Sequence, residues 1–344
     1  MTATPGPLAG EQNSAYSSSP AGDSFEQDWC ELTTYAVTGG AGFIGSHLAG
    51  ALVDGGARVV VLDNLSTGKE ANLDQWRGRV DLRLIDVALA PPIAALEGID
   101  VVFHQAAVPS VPLSVNDPAG THAANLTGTL NVLIAAHQAG VRRVVCASSS
   151  AIFGEDPALP KTDSMPAAPI SPYGAQKYCS EMYAQTFWRA YGLETVCLRY
   201  FNVFGPRQDA SSQYSGVMAR FIPAILRKEQ PVIYGDGDQS RDFIFVSDIV
   251  TANIRAAEAT AVAGECFNVA RGESTTVNEL LSAIQSVLGT SIAPRYDSAR
   301  SGDIRHSQAD PSRAMQSLAW EPSTTLTAGL IETAEWYRSE IGRG

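Results

Sequence analysis

The five cysteines of the 344-residue chain form no pairing pattern. Cys30, Cys146, Cys179, Cys197 and Cys266 are scattered, with no C-x-x-C and no histidine at metal-ligand spacing. That argues against a disulfide framework and a zinc site, and leaves free thiols that are mostly core residues. Basic blocks are missing as well. With 24 Lys and Arg against 36 Asp and Glu, the formal charge is −12, and no stretch alternates cations with aromatics, so the electrostatic footprint of a nucleic-acid binder is absent. No apolar run approaches the ~20 residues that a membrane span requires. The first 34 residues lack the basic start and apolar middle of a signal peptide, so the expected location is the cytoplasm.

What is present is a globular chain, 45% hydrophobic and long enough for one large two-lobed unit. Residues 1–33 are rich in Ser, Ala, Gly and Pro and read as a disordered leader. From Tyr35 onward short β-branched runs alternate with helical patterns. Strands are expected at 35–38, 58–62, 80–85, 100–104, 143–148 and 194–199. Helices are expected from Phe43, at 121–138 and at 174–191. This alternation implies an α/β fold, a Rossmann-type doubly wound parallel sheet covered on both faces, over residues 34–200. After Asn202 the pattern loosens into loops with helices near 217–227, 248–257, 277–288 and 326–337. Residues 201–344 therefore read mainly as a smaller α/β substrate-binding lobe, with some exchange of chain between lobes.

Between the first strand and first helix stands Thr38-Gly39-Gly40-Ala41-Gly42-Phe43-Ile44-Gly45. Glycines spaced G-x-x-G-x-x-G allow a tight turn, close approach of a pyrophosphate, and helix-to-strand packing, while the helix N-terminus supplies amide donors. Such turns also arise for packing alone. Asp63 separates the two readings: it ends the second strand, near the ~20-residue offset at which a carboxylate accepts from an adenosine ribose. It would repel a 2′-phosphate, and Asn64-Leu65-Ser66 offers no arginine to hold one, so NAD is favoured over NADP. Asp86-Val87 after the third strand suits either an adenine contact or a turn cap. Gln105-Ala106-Ala107, after the fourth, would pass beneath the cofactor.

Tyr173-Gly174-Ala175-Gln176-Lys177 begins a helix, and the i, i+4 spacing puts phenol and ammonium on one face. A nearby cation stabilises phenolate and makes a usable general base. The pair alone is common on helix surfaces. Upstream, however, Cys146-Ala147-Ser148-Ser149-Ser150 ends a parallel strand at the sheet edge where α/β sites form, and a serine there can donate to the oxygen whose proton the tyrosine removes.

Taken together, these motifs resemble the extended short-chain dehydrogenase/reductase family, and within it the UDP-hexose 4-epimerases, over nearly everything from Tyr35 to Tyr337. The segment around Ser307 is most like that of UDP-N-acetylglucosamine 4-epimerases. The resemblance implies that Ser149 fills the catalytic Ser/Thr position, that Tyr173 is the base, and that Lys177 orients the nicotinamide ribose and depresses the tyrosine pKa. It implies an NAD site made by Gly39, Gly42, Phe43, Ile44 and Gly45, by Asp63, Asn64, Ser66 and Gly68, by Asp86, Val87, Gln105, Ala106 and Ala107, and by Asn125, Tyr173, Lys177 and Tyr200.

For the nucleotide sugar the resemblance implies Ser149, Ser150 and Tyr173 beside the sugar, Asn202 on the diphosphate, and Arg241, Arg300 and Asp303 in loops suited to phosphate or ribose. Dehydratase relatives carry Thr-Asp-Glu where this chain has Ser149-Ser150-Ala151, and decarboxylase relatives carry a Glu at Ala151. Without those acids, reversible oxidation at C-4 through a 4-keto sugar is the chemistry implied. In the family the residue at Ser307 walls the sugar pocket, and a small side chain admits a 2-acetamido group. Relatives acting on UDP-glucuronate place an Arg where Asp209 stands. The UDP-GlcNAc/UDP-GalNAc pair thus ranks first, UDP-glucose/UDP-galactose second and the uronate pair third.

A homodimer through the helices 121–138 and 174–191 is also implied. His306 and His47 read as loop and packing residues. Two other readings stand beside the epimerase: a one-way oxidoreductase, which would consume NAD stoichiometrically, and a dinucleotide-sensing protein without chemistry, against which the retention of Ser149, Tyr173 and Lys177 argues.

Overall fold

The computed structural model describes residues 33–209, 216–299 and 304–343. The expected leader and the candidates Arg300 and Asp303 lie outside these.

The alternation seen in the sequence becomes strand and helix in succession. β1 (Thr34–Thr38), α1 (Phe43–Asp54), β2 (Arg58–Asp63), β3 (Val80–Leu84) and β4 (Val101–His104) come first. Two short helices, α2 (Val111–Asn116) and α3 (Pro118–His122), and a π-helical turn Ala123–Thr127 then lead into α4 (Gly128–Gln138), β5 (Arg143–Ser149), α5 (Pro172–Tyr191) and β6 (Glu194–Tyr200). Central strands such as β2 bury Val59, Val60, Val61 and Leu62 almost completely, as a sheet covered on both faces requires. All neighbours in the sheet are parallel.

The sheet has a seventh strand that the periodicity did not reveal. Further elements are β7 (Asn202–Phe204), α6 (Val217–Leu226), β8 (Val232–Tyr234), β9 (Ser240–Arg241), β10 (Phe243–Phe245), α7 (Val246–Glu258) and β11 (Glu265–Val269). The sheet order is β11-β6-β5-β4-β1-β2-β3, so the chain returns after residue 200 to close the edge beside β6, and α7 packs against α1. The five residues Glu-Cys-Phe-Asn-Val are too short and mixed to announce a strand. What stabilises them is pairing with β6 and burial of Cys266, Phe267 and Val269.

The remaining elements are β12 (Thr275–Thr276), α8 (Val277–Leu288), β13 (Arg295–Asp297), α9 (Ser312–Leu318) and α10 (Leu326–Arg343). Helices α6, α8 and α10 share a core with Phe204, Phe221, Phe245, Leu280 and Leu330. A capping box, Thr276 with Glu279, starts α8. Small pairs β10-β7, β12-β9 and β13-β8 tie this lobe together. No helix of the described residues is long and apolar enough to cross a membrane. Cys146, Cys197 and Cys266 are free, buried and adjacent across β5, β6 and β11, as core thiols.

Candidate active site

The sheet reverses strand order between β1 and β4, and the crevice outside the strand ends there is where α/β folds bind ligands. A cleft of about 410 Å³ opens at this point. Gly39 has φ +68°, and a Cβ on it would lie 2.7 Å from the Ala106 nitrogen. A Cβ on Gly45 would lie 2.1 Å from the Gly39 carbonyl oxygen. Only glycine fits either place, and the result is a bare main-chain turn running into α1. Gly42 caps α1 with no side-chain cap bond, leaving first-turn amides and the positive helix end for an anion.

Gly39, Gly42, Phe43, Ile44, Gly45, Asp63, Asn64, Ser66, Asp86, Val87, Gln105, Ala106 and Ala107 line this cleft together with Tyr173, Lys177 and Tyr200. Asp63 accepts the Ala41 N–H at 2.9 Å and the Leu65 N–H at 2.8 Å, so it shapes the glycine turn from the position expected of a ribose acceptor. Asp86 lines the cleft, and its carboxylate fills the turn role by accepting the Ala88 N–H at 2.8 Å and the Asn64 amide at 3.1 Å.

Two expected contacts are placed differently. Gly68 packs against the Asp63 carboxylate, whose oxygens would lie 2.9 Å from a Cβ there, and so leaves room for that carboxylate. Asn125 is buried behind the cleft. Its oxygen accepts the Val108 N–H at 2.7 Å and its amide donates to Gln176 at 2.8 Å. It braces the loop after β4 from the π-turn and is not among the residues lining the cleft.

The three serines at the end of β5 have different surroundings. Ser148 points into the core and donates to Glu181 at 2.5 Å. Glu181 also takes two bonds of 2.9 Å from Arg199. Ser149, one residue on, accepts the Ala151 N–H at 3.2 Å, and its hydroxyl lies near enough to the Tyr173 phenol to favour the phenolate. Ser150 opens the 3-10 turn Ser150–Phe153 beside it. Tyr173 is set by the start of α5: Ser171 caps the helix by accepting the Gly174 N–H at 3.1 Å, and the Tyr173 N–H donates to Ser114 Oγ at 3.0 Å.

Lys177, one turn along, donates to the Ala147 carbonyl at 2.9 Å. Burial pulls its ammonium down to about 8. Burial also pushes the Tyr173 phenol up, opposed by the Ser149 hydroxyl. The expected lowering of Tyr173 by Lys177 is therefore not what this geometry produces. The ammonium is engaged with the strand carbonyl, and desolvation dominates the phenol.

Several polar residues that support the site had no motif to announce them. Tyr200 OH accepts from Asn253 at 2.7 Å, and Gln105 contacts both Tyr200 and Asn253. Asn253 sits on α7, in the part of the chain whose return to the sheet was not foreseen. His104 is buried between Thr38 and Thr129, and burial followed by the Lys177 charge lowers it to about 3.

From the smaller lobe, Asn202 lies on β7, Arg241 on β9, and Ser307 on the stretch paired with β9 through Ser307 N–H to the Ser240 carbonyl at 3.1 Å. Asp209 reaches back to Lys69 at 3.8 Å. His306 touches Ser240 Oγ at 2.9 Å. His47 holds the Pro206 carbonyl at 3.0 Å and is pushed down to about 4 by burial and by Arg207, which makes it a packing residue.

A glycine-lined dinucleotide crevice that holds Tyr173 and Lys177, with Ser149 and Ser150 outside its lining at the end of β5, defines an NAD-using oxidoreductase scaffold of the short-chain dehydrogenase type. The chain belongs to the NAD dependent epimerase/dehydratase family, whose model matches residues 35–270. It is 39% identical over 310 residues to the UDP-glucose 4-epimerase of Mycolicibacterium smegmatis, covering 88% of this chain and 98% of that protein. Among solved structures, the UDP-N-acetylglucosamine 4-epimerase of Methanobrevibacter ruminantium M1, in complex with UDP-N-acetylmuramic acid, superposes with a TM-score of 0.86 at 43% identity, covering 90% of this chain and 99% of that one. The UDP-glucose 4-epimerase of Thermotoga maritima with UDP-glucose gives 0.86 at 39% identity, covering 90% and 100%.

Proposed function

We propose that this chain is a UDP-sugar 4-epimerase whose preferred pair is UDP-GlcNAc and UDP-GalNAc. The observation that carries the reaction type is the placing of Tyr173 and Lys177 together in the cleft, with Ser149 at the end of the adjoining strand and Ser150 and Ala151 where dehydrating or decarboxylating chemistry would need an acid. The glycine turn, which a Cβ would fill, and the Asp63 carboxylate suit NAD. When bound, NAD supplies a hydride acceptor and then donor at C-4 of the sugar. Tyr173 takes the proton of the 4-hydroxyl as C-4 is oxidised to the ketone, and returns it when the ketone is reduced. Ser149 donates to the same oxygen, and Lys177 holds the nicotinamide ribose. Asn202, Arg241, Arg300 and Asp303 grip the nucleoside diphosphate, about which the 4-keto sugar turns to present its other face.

The sugar preference rests on Ser307, a small, half-buried wall residue, and on Asp209, an acid that disfavours a uronate. UDP-glucose/UDP-galactose is the second reading, supported by the M. smegmatis and T. maritima relatives. Purified enzyme is expected to convert UDP-GlcNAc to UDP-GalNAc and back on chromatographic assay. Conversion of UDP-glucose alone would overturn the sugar assignment. Helix α5 exposes Met182, Tyr183 and Tyr191, which supports pairing through α4 and α5 in a homodimer, and light scattering tests that.

A further inference from the structure

The residues assigned to the nucleotide sugar in the smaller lobe stand on segments far apart in sequence, and one buried aspartate joins them. Asp242 lies between Arg241 and Phe243 with no exposed surface. Its Oδ1 accepts the main-chain N–H of Arg271 at 2.9 Å, and its Oδ2 accepts those of Gly272 at 3.0 Å and Ala309 at 3.1 Å. Its own carbonyl accepts the Asn202 N–H at 3.0 Å. Three converging N–H donors demand acceptors only. An ionised aspartate supplies them, whereas an asparagine would turn an NH₂ group toward at least one of them. Burying a carboxylate is costly unless donors of this kind solvate it.

Two of these bonds end at or near a residue assigned to the substrate, and the other two anchor the carboxylate to the loop after β11. Ala309 is two residues from Ser307, on a stretch also held by the Lys161 N–H on the Gln308 carbonyl at 2.8 Å. Asn202 hangs from the Asp242 carbonyl, and Arg241 is its chain neighbour. We propose that Asp242 is a positioning residue that keeps Ser307, Asn202 and Arg241 in register, and so sets affinity and selectivity for the nucleotide sugar without touching the reacting atoms. The proposal rests on the reading of those three residues as substrate contacts.

Burial pushes the Asp242 carboxyl up to about 6, opposed by the three amides and by the Arg271 guanidinium. A proton added there displaces an accepted N–H, so the grip on substrate weakens as pH falls through about 6. The other charged or titratable side chains on the packed segments are Lys161, Asp163, Arg199, Arg241, Glu273, Arg305, His306, Asp310 and Arg313. Of these, His306 is the one to control for, because its ring touches Ser240.

The test uses the NAD-loaded enzyme. Asp242→Asn is expected to raise KM for UDP-sugars about tenfold, to change kcat less than about threefold, to leave bound NAD at the wild-type level, and to narrow the preference between acetamido and plain sugars. The tenfold change corresponds to about 1.4 kcal/mol. Asp242→Glu should restore part of the affinity. Wild-type KM should rise between about pH 7 and about pH 5, and should still do so in His306→Gln. An unchanged KM in Asp242→Asn overturns the proposal. If that variant does not fold, a flat wild-type KM profile, or one abolished by His306→Gln, overturns it instead. Should no UDP-sugar be turned over at all, the functional reading fails, and calorimetry with UDP at neutral pH still decides the role of Asp242: equal affinity in wild type and Asp242→Asn contradicts it.

Discussion

The two halves of the molecule are held together differently. The cofactor half is a seven-stranded parallel sheet with a helix after most strands, stabilised by apolar burial and main-chain ladders that repeat along the chain. The substrate half has sheets of only two strands, joined by side chains that reach across sequence to bind main chain, such as Asp242 and Gln308. Ladder and core tolerate the loss of one polar contact. A loop stitched by single carboxylates does not, and that lets sugar specificity change while the hydride-transfer site stays fixed.

The comparison sharpens into variants of decreasing effect. Tyr173→Phe removes a group that the cofactor half positions but does not need for folding. Epimerisation is expected to fall about 10³- to 10⁴-fold, within the range for general acid–base groups, with bound NAD and melting temperature near wild type. Retained activity would put the base elsewhere. Glu181→Gln tests whether the sheet half has its own polar weak point. It breaks the pair with Arg199, whose side chains are 3% and 8% exposed, and should cost about 3–5 kcal/mol because a buried charge is left unpaired. Chemical denaturation would show this: a loss of that size gives the sheet half a polar weak point of its own at this pair, and a loss below about 1 kcal/mol would mean that its ladder and core absorb even this change. Lys69→Ala removes the exposed link to Asp209 between the halves. Exposed pairs are worth about 0–1 kcal/mol, so stability should barely move, and a large loss would mean that the lobes are riveted there.

The same division explains what was legible in the sequence. Six strands, the glycine turn, Asp63 at the end of the second strand and the Tyr173–Lys177 pair followed from local pattern, since each depends on neighbours along the chain, whereas the choice of Ser149 among three serines came from the family resemblance. β11 did not, because its five residues are made a strand by their partner β6. Asn253 and Asp242 carry no motif, because their roles arise from contacts made only after the chain has returned on itself. Asn125, expected at the cofactor, is buried behind the cleft and braces the loop after β4. The π-turn that aims it at Val108 is a break in helical period invisible in composition. The lowered tyrosine pKa expected from the i, i+4 lysine failed for a related reason: spacing showed proximity but not the Ala147 carbonyl that takes the ammonium.

The central claim is reversible hydride transfer at one carbon, and isotope retention tests it most directly. UDP-sugar carrying deuterium at C-4 is incubated with enzyme in ordinary water. The account predicts an epimerised product that keeps its deuterium at C-4, with no net accumulation of NADH. Washout of the label to solvent, or NADH formed in step with product, would contradict it.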